Sequence, residues 1–271
     1  MSIKIETVKT ESFEMEYFKF GRGKEPLVIL PGLSVQSVMP AADIVAEAYD
    51  VLADDFTVYL FDRRKDLPSS YSVADIARDT FEALSALGLA KVCLFGVSQG
   101  GMAAQLIAAE HPELVKKLAV GSSPAYETRE LRALLKSLIE TAKAGDAEKL
   151  YLSFGEAIYP KAAFENAREM LIDAAKSVTE AELCRFVILA EGIENFDARE
   201  KLKNIACPTL AIFSSDDNVI GAGASADFEI CFAGRSDFET CFYDGYGHAA
   251  YDLAPDYKER LKRFFTDGGL S

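Results

Sequence analysis

Short apolar segments without a polar face recur along this chain, and they constrain its fold more than any other feature. Strands that are covered by helices on both faces have this composition. Helical patterns at 43–52, 73–87 and 102–110 lie between several of these segments. The alternation of strand and helix predicts an α/β fold with a mostly parallel central sheet flanked by helices. The apolar segments are 27–30, 57–61, 92–95, 118–120 and 210–213.

The two ends of the chain extend this pattern. Apolar and polar residues alternate at 3–8 and at 13–20, and a Gly-Arg-Gly turn follows at 21–23. This alternation predicts an N-terminal antiparallel hairpin. A last strand is expected at 238–242, followed by a helix at 255–265.

The strand and helix alternation stops between about residues 124 and 204. Ala, Leu, Glu and Lys dominate this stretch, apolar residues recur at helical spacing, and strand-like runs are missing. The pattern predicts a helical insertion. We therefore expect a core domain formed by 1–124 and 205–271 and a helical cap formed by 125–204.

Charge and cysteine usage narrow the range of partners. The formal net charge is -14, so the average field repels nucleic acid and anionic membrane surfaces, and neither is expected as a partner. The five cysteines are widely spaced without a C-x-x-C pair, which favours neither a disulfide scaffold nor a zinc site. Residues 1–17 lack the apolar run of a signal peptide, so a cytoplasmic location is expected.

The most informative motif is Gly-Val-Ser-Gln-Gly at 96–100. An apolar strand at 92–95 precedes it, and a helix rich in small residues follows. In a G-x-S-x-G elbow the serine lies on a sharp strand-to-helix turn, and the flanking glycines leave room for that turn to close. Ser98 is therefore the candidate nucleophile.

A serine hydroxyl needs a base within hydrogen-bond reach, normally a histidine that a carboxylate holds in one tautomer. The chain has two histidines. His111 lies at a predicted helix end before a proline, where a surface or capping role is expected. His248 lies in a glycine-rich loop beyond the last predicted strand and is the candidate base.

The carboxylate should follow the strand after the insertion. Two adjacent acids, Asp216 and Asp217, lie there. Spacing does not separate them, and we select Asp217 because the second acid of such a pair is the commoner triad member. A polar turn accounts for the acid that is not used.

Acyl transfer also requires backbone N–H donors for the developing oxyanion. Gln99, directly after Ser98, is the first candidate donor. Leu33, in the sequence LPGLS at 30–34, is the second. A simple Pro-Gly turn at the end of a strand is the alternative explanation of that segment.

These motifs and their order resemble the α/β-hydrolase superfamily over almost the whole chain. The resemblance implies a triad of Ser98, Asp217 and His248, an oxyanion hole of Leu33 and Gln99, and a cap at 125–204. The matching motifs are LPGL at 30–33, FDRR at 61–64, GVSQGGM at 96–102, SSDDNVI at 214–220 and GYGHAAY at 245–251.

The chain also departs from the superfamily pattern. Many members have His-Gly where this chain has Pro31-Gly32, and the glycines common after the next strand are missing from 62–66. Serine rather than aspartate at position 98 and the lack of tryptophan argue against haloalkane dehalogenases and epoxide hydrolases.

The predicted function is hydrolysis of a small carboxylic ester, thioester or lactone through an acyl-serine intermediate, without a cofactor or metal. C–C bond hydrolysis or cofactor-free perhydrolysis with the same triad is an alternative, as is a non-catalytic small-molecule receptor on the same fold. Apolar side chains of the insertion are candidates for closing the substrate pocket or for a homo-oligomer contact. They include Phe154, Tyr159 and Phe164.

Overall fold

The computed structural model describes residues 2–267, and its centre is an eight-stranded sheet. The strand order is β1-β2-β4-β3-β5-β6-β7-β8. β1 and β2 pair antiparallel, as do β2 and β4, and all other neighbours are parallel. The strands are β1 Ile5–Lys9, β2 Glu14–Phe20, β3 Glu25–Leu30, β4 Phe56–Arg64, β5 Val92–Val97, β6 Val115–Gly121, β7 Thr209–Ser214 and β8 Phe238–Tyr243.

Successive residues of a strand point to opposite faces of the sheet. Both faces of this sheet are apolar, and helices cover both of them. Val28 and Leu30 of β3 belong to one apolar core, and Leu27 and Ile29 belong to the other. The first core includes residues of α2 and α3, and the second includes residues of α1 and α11. These helices are α1 Ala42–Ala48, α2 Val73–Ala86, α3 Gln99–Glu110 and α11 Tyr257–Thr266.

This architecture confirms the predicted fold class, including the antiparallel N-terminal hairpin. Several boundaries differ from the prediction, and two of these differences lie beside the predicted site. Helix α3 begins at Gln99 rather than at 102, because its first turn contains two glycines that give no apolar periodicity. Strand β4 continues to Arg64, which pairs with Met15 of β2, although its last residues are polar.

The segment 125–204, here called the inserted segment, lies between β6 and β7 and consists mainly of helices. Side chains of Thr128, Asp146 and Thr179 cap the starts of α4, α5 and α7 by accepting a backbone hydrogen bond. The division into a core domain and a cap stays a prediction. The helices are α4 Arg129–Lys143, α5 Ala147–Ile158, α6 Lys161–Ala175, α7 Glu180–Glu191 and α8 Arg199–Leu202.

Two further short helices are α9 Ala226–Cys231, before β8, and α10 Ala250–Leu253, after it. Within residues 2–267, every helix is too short or too polar to cross a membrane. The ends of β5, β6, β7 and β8 meet at one edge of the sheet, and the predicted site residues lie there.

Candidate active site

Ser98 lies on a sharp turn between β5 and α3. Its backbone angles are φ 51° and ψ -121°, and this positive φ is strained for a residue with a side chain. Its N–H donates to the Gly121 carbonyl at the end of β6, with an N···O distance of 2.9 Å. The turn therefore holds the Ser98 side chain at the carboxyl edge of the sheet.

Glycines allow the chain segments around this turn to approach each other. A Cβ atom on Gly96 would lie 2.4 Å from the Gly100 carbonyl oxygen. A Cβ atom on Gly100 would lie 2.1 Å from the Leu30 oxygen and 2.4 Å from the Pro31 oxygen. Because backbone atoms block both positions, only glycine fits them without displacement of the loop.

Asp217 and His248 form a buried pair. The distance between His248 Nδ1 and Asp217 Oδ2 is 2.8 Å, and the side chains are 3% and 1% exposed respectively. The other carboxylate oxygen accepts the N–H groups of Val219 and Ile220 at 2.9 and 3.2 Å. An ionised carboxylate can only accept, so Nδ1 carries the hydrogen and Nε2 is left as the basic nitrogen.

The neighbouring Asp216 has a different position. Its two carboxylate oxygens accept the N–H groups of Gly245 and Gly247, each at 3.2 Å. Asp217 therefore contacts the imidazole, whereas Asp216 holds the backbone of the loop that carries it.

Ser98 and His248 are each attached to one of two adjacent serines directly after β6. The Ser122 hydroxyl donates to the His248 carbonyl, and the Ser123 hydroxyl donates to the Ser98 carbonyl, both at 2.9 Å. Among residues 2–267, no hydrogen bond joins the Ser98 hydroxyl to the imidazole. Sequence reasoning missed Ser122 and Ser123, although two small polar residues directly after a buried strand are a usable signal.

The two predicted oxyanion donors lie beside the Ser98 turn. The Gln99 N–H is at the amino end of α3, where the helix dipole favours negative charge. The loop of Leu33 passes close by, since a Cβ atom on Gly32 would lie 3.3 Å from the Ser98 Cβ. Within the described part of the chain, neither the Leu33 nor the Gln99 N–H donates a hydrogen bond to another residue.

A buried arginine that sequence reasoning missed contacts both donor segments. Arg63 Nη2 donates to the Pro31 carbonyl at 2.7 Å and to Gln99 Oε1 at 3.2 Å. Gln99 Nε2 in turn donates to the Leu189 carbonyl of α7 at 2.7 Å. Burial lowers the pKa of the Arg63 guanidinium from its ordinary value.

The inserted segment covers this edge of the sheet through α5, α6 and α7. Gln36, in the loop that carries Leu33, donates to Glu182 of α7 at 3.1 Å and accepts from the Tyr151 hydroxyl of α5 at 2.8 Å. Arg185 of α7 forms an ion pair of 3.1 Å with Asp62 of β4. These contacts attach the predicted oxyanion loop and the end of β4 to the inserted segment.

A cavity of about 450 Å³ lies between α5, α6 and the loops of Asp216 and His248. The Tyr159 hydroxyl donates to Asp252 at 3.3 Å, and burial, followed by the charge of Asp252, raises the pKa of Tyr159 to about 12. Phe154 is half-buried and packs edge-on against Phe186, with ring centroids 5.9 Å apart. Lining residues of the cavity include Ile158, Tyr159, Phe164, Asp216, Asn218 and Gly247.

His111 lies away from this group of residues. It follows α3, stacks on the ring of Phe81 and has its Nδ1 3.7 Å from a Glu113 carboxylate oxygen. Within residues 2–267 no group of three or more His, Cys, Asp or Glu side chains is arranged to hold a metal ion.

Comparison with known proteins supports the same fold. A family model described as alpha/beta hydrolase fold matches residues 25–150. An alpha/beta hydrolase enzyme from a Medee basin deep-sea metagenome library superimposes with a TM-score of 0.86 at 21% identity, over 98% of this chain and 99% of that one. The chain has the alpha/beta hydrolase fold.

The related sequences are named as hydrolases. The serine hydrolase BPHL of Mus musculus is 23% identical over 225 residues, which are 79% of this chain and 70% of that protein. The putative carbamate hydrolase RutD of Caulobacter vibrioides is 24% identical over 241 residues, 85% of this chain and 86% of that protein. This α/β-hydrolase is therefore an enzyme of the hydrolase class.

Proposed function

We propose that this α/β-hydrolase cleaves a small carboxylic ester, thioester or lactone through an acyl-Ser98 intermediate. The buried pair of Asp217 and His248 carries the proposal, because the His248 backbone is bonded to Ser122, next to Ser123, which is bonded to the Ser98 backbone. Such a pair leaves Nε2 free to accept a proton from a serine hydroxyl.

In the proposed reaction, His248 Nε2 takes the Ser98 proton while the serine oxygen forms a bond to the substrate carbonyl carbon. The resulting oxyanion accepts hydrogen bonds from the N–H groups of Leu33 and Gln99. The imidazolium then protonates the leaving alcohol or thiol as its bond to carbon breaks. A water molecule, deprotonated by His248, releases the carboxylic acid and restores the serine.

The substrate class is supported by a solved structure with the same fold. A solved enol-lactonase from Burkholderia xenovorans LB400 has a TM-score of 0.81 to this chain at 17% identity, over 97% of this chain and 100% of that one. Lactone hydrolysis is therefore compatible with this fold.

We further propose that the inserted segment is the cap that selects the substrate. It contacts the loop of the proposed donor Leu33 through Tyr151 and Glu182, and α5 and α6 border a cavity beside the loops of Asp216 and His248. A cytoplasmic location is also proposed, because all five cysteines are free thiols and reducing compartments preserve that state.

The test combines a covalent probe with ester hydrolysis. A fluorophosphonate is expected to label the wild-type protein, and Ser98→Ala should abolish both labelling and the hydrolysis of p-nitrophenyl esters. Ser137→Ala, which changes an exposed serine of α4, is the matched control and should behave like wild type. A folded wild-type protein that neither labels nor hydrolyses any ester of increasing acyl length would contradict the proposal.

A further inference from the structure

Arg63 is a buried cation without a carboxylate partner. It is 5% exposed, and its Nε has no hydrogen-bond partner. The acids around it are paired elsewhere, Asp62 with Arg185 at 3.1 Å and Asp79 with Arg64 at 3.4 Å. Among the residues described, no carboxylate oxygen lies within ion-pair distance of the Arg63 guanidinium.

A single nitrogen of this guanidinium joins the two segments that carry the proposed oxyanion donors. Nη2 binds the carbonyl of Pro31, two residues before Leu33, and the side chain of Gln99. Gln99 is fully buried, and its side-chain amide also donates a hydrogen bond to the Leu189 carbonyl in α7. The relative position of the two donors therefore depends on Arg63.

We propose that Arg63 is the positioning residue of the oxyanion hole, and that the Gln99 side chain links this hole to helix α7. The inference rests on the proposed acyl-serine function. A buried positive charge in a site of low dielectric also favours the negative charge that develops on the carbonyl oxygen. Because this charge develops in the transition state and not in bound substrate, Arg63 should act on kcat more than on KM.

The principal experiment uses Arg63→Met, which keeps most of the side-chain volume and removes the guanidinium. Misplaced donors should lower kcat by about 10- to 100-fold and change KM by less than about threefold. Affinity for an alkyl boronic acid, which forms a tetrahedral adduct with the serine, should weaken by the same factor as kcat/KM. A purely structural role would lower the melting temperature without this parallel loss.

Arg235→Met is the matched control. Arg235 also donates to backbone carbonyls, those of Ile205 and Cys207, but it lies at the amino ends of β7 and β8, opposite the site. This variant should lose thermal stability and keep wild-type kcat and boronic acid affinity.

Two further variants keep the inference testable if Arg63→Met does not fold. Arg63→Lys retains the charge without the planar fork and should have an intermediate kcat. Gln99→Met retains the backbone N–H but removes the link to Arg63 and Leu189, and it should weaken boronic acid binding.

The outcomes separate this inference from the proposed function. If a folded Arg63 or Gln99 variant keeps wild-type kcat and boronic acid affinity while wild type labels with fluorophosphonate, the inference is wrong and the acyl-serine function stands. If wild type fails to label, the proposed function is wrong and the inference falls with it.

Discussion

The loops at the carboxyl edge of the sheet and the inserted segment are held in place in different ways. Every residue of β5 and β7 is buried, and backbone atoms in close contact fix the turn that follows β5. Helix α6 has two buried residues, Phe164 and Ala175, among fifteen. The edge of the sheet can therefore hold catalytic groups in fixed positions, whereas α6 can accept substitutions that change the preferred substrate.

The helices of the inserted segment differ in how they are bonded to the core. Helix α7 bonds to the core through Glu182, Arg185 and Leu189. Within residues 2–267, no side-chain hydrogen bond joins α6 to the core. We expect substitutions in α7, and of Tyr151 in α5, to affect the chemistry. Substitutions in α6 and elsewhere in α5 should affect selectivity.

The largest loss of activity is expected from Asp217→Asn, and it should far exceed the loss from the same change at Asp216. Asp217→Asn should lower kcat/KM by about 10⁴-fold, because an amide favours the wrong imidazole tautomer. Asp216→Asn loses one acceptor for the loop backbone and should cost about tenfold or less. Hydrolysis of one p-nitrophenyl ester by both variants gives the ranking, and the reverse order would assign the triad to Asp216.

A smaller loss is expected when the packing of the Ser98 turn is changed. In Gly100→Ala the new methyl group would meet the Leu30 and Pro31 oxygens, so the loop of Leu33 must shift. A shift of about 1 Å at a catalytic group lowers activity by about 100-fold. Gly223→Ala, whose Cβ would meet no atom within 4 Å, is the control. Equal activity of the two variants would show that the turn tolerates displacement.

The smallest effect on chemistry is expected in the inserted segment. Phe154→Ala should lower the free energy of unfolding by about 2 kcal/mol, since the ring is half-buried against Phe186. It should change acetate ester hydrolysis by less than tenfold while altering the preferred acyl length. Urea denaturation and an ester series measure the two quantities, with the exposed Met170→Ala as control. Acetate hydrolysis as low as in Asp217→Asn would mean that this segment carries part of the chemistry.

The sequence predicted the parts of this molecule that depend on local patterns. Buried parallel strands appear as apolar runs, so the fold class can be predicted from the sequence. The turn at Ser98 needs glycines at fixed offsets, so the candidate nucleophile can be predicted too. The presence of two histidines reduced the candidate bases to His248 and His111.

The remaining features depend on contacts between distant residues. Asp216 and Asp217 fit the same position in the sequence, and only their partners, the loop backbone and the imidazole, distinguish them. Arg63 lies in a polar stretch that resembles a loop, yet strand pairing places it in the interior beside Pro31.

The positive φ of Ser98 sets catalysis against stability at one position, because the residue that supplies the hydroxyl also strains the backbone. A residue without a Cβ adopts this backbone conformation freely, so glycine there would relieve about 1 kcal/mol or more of strain and remove the hydroxyl. A population of this enzyme evolving for thermal tolerance alone would drift towards an inert, sturdier protein. Retaining the serine requires continuing selection for turnover.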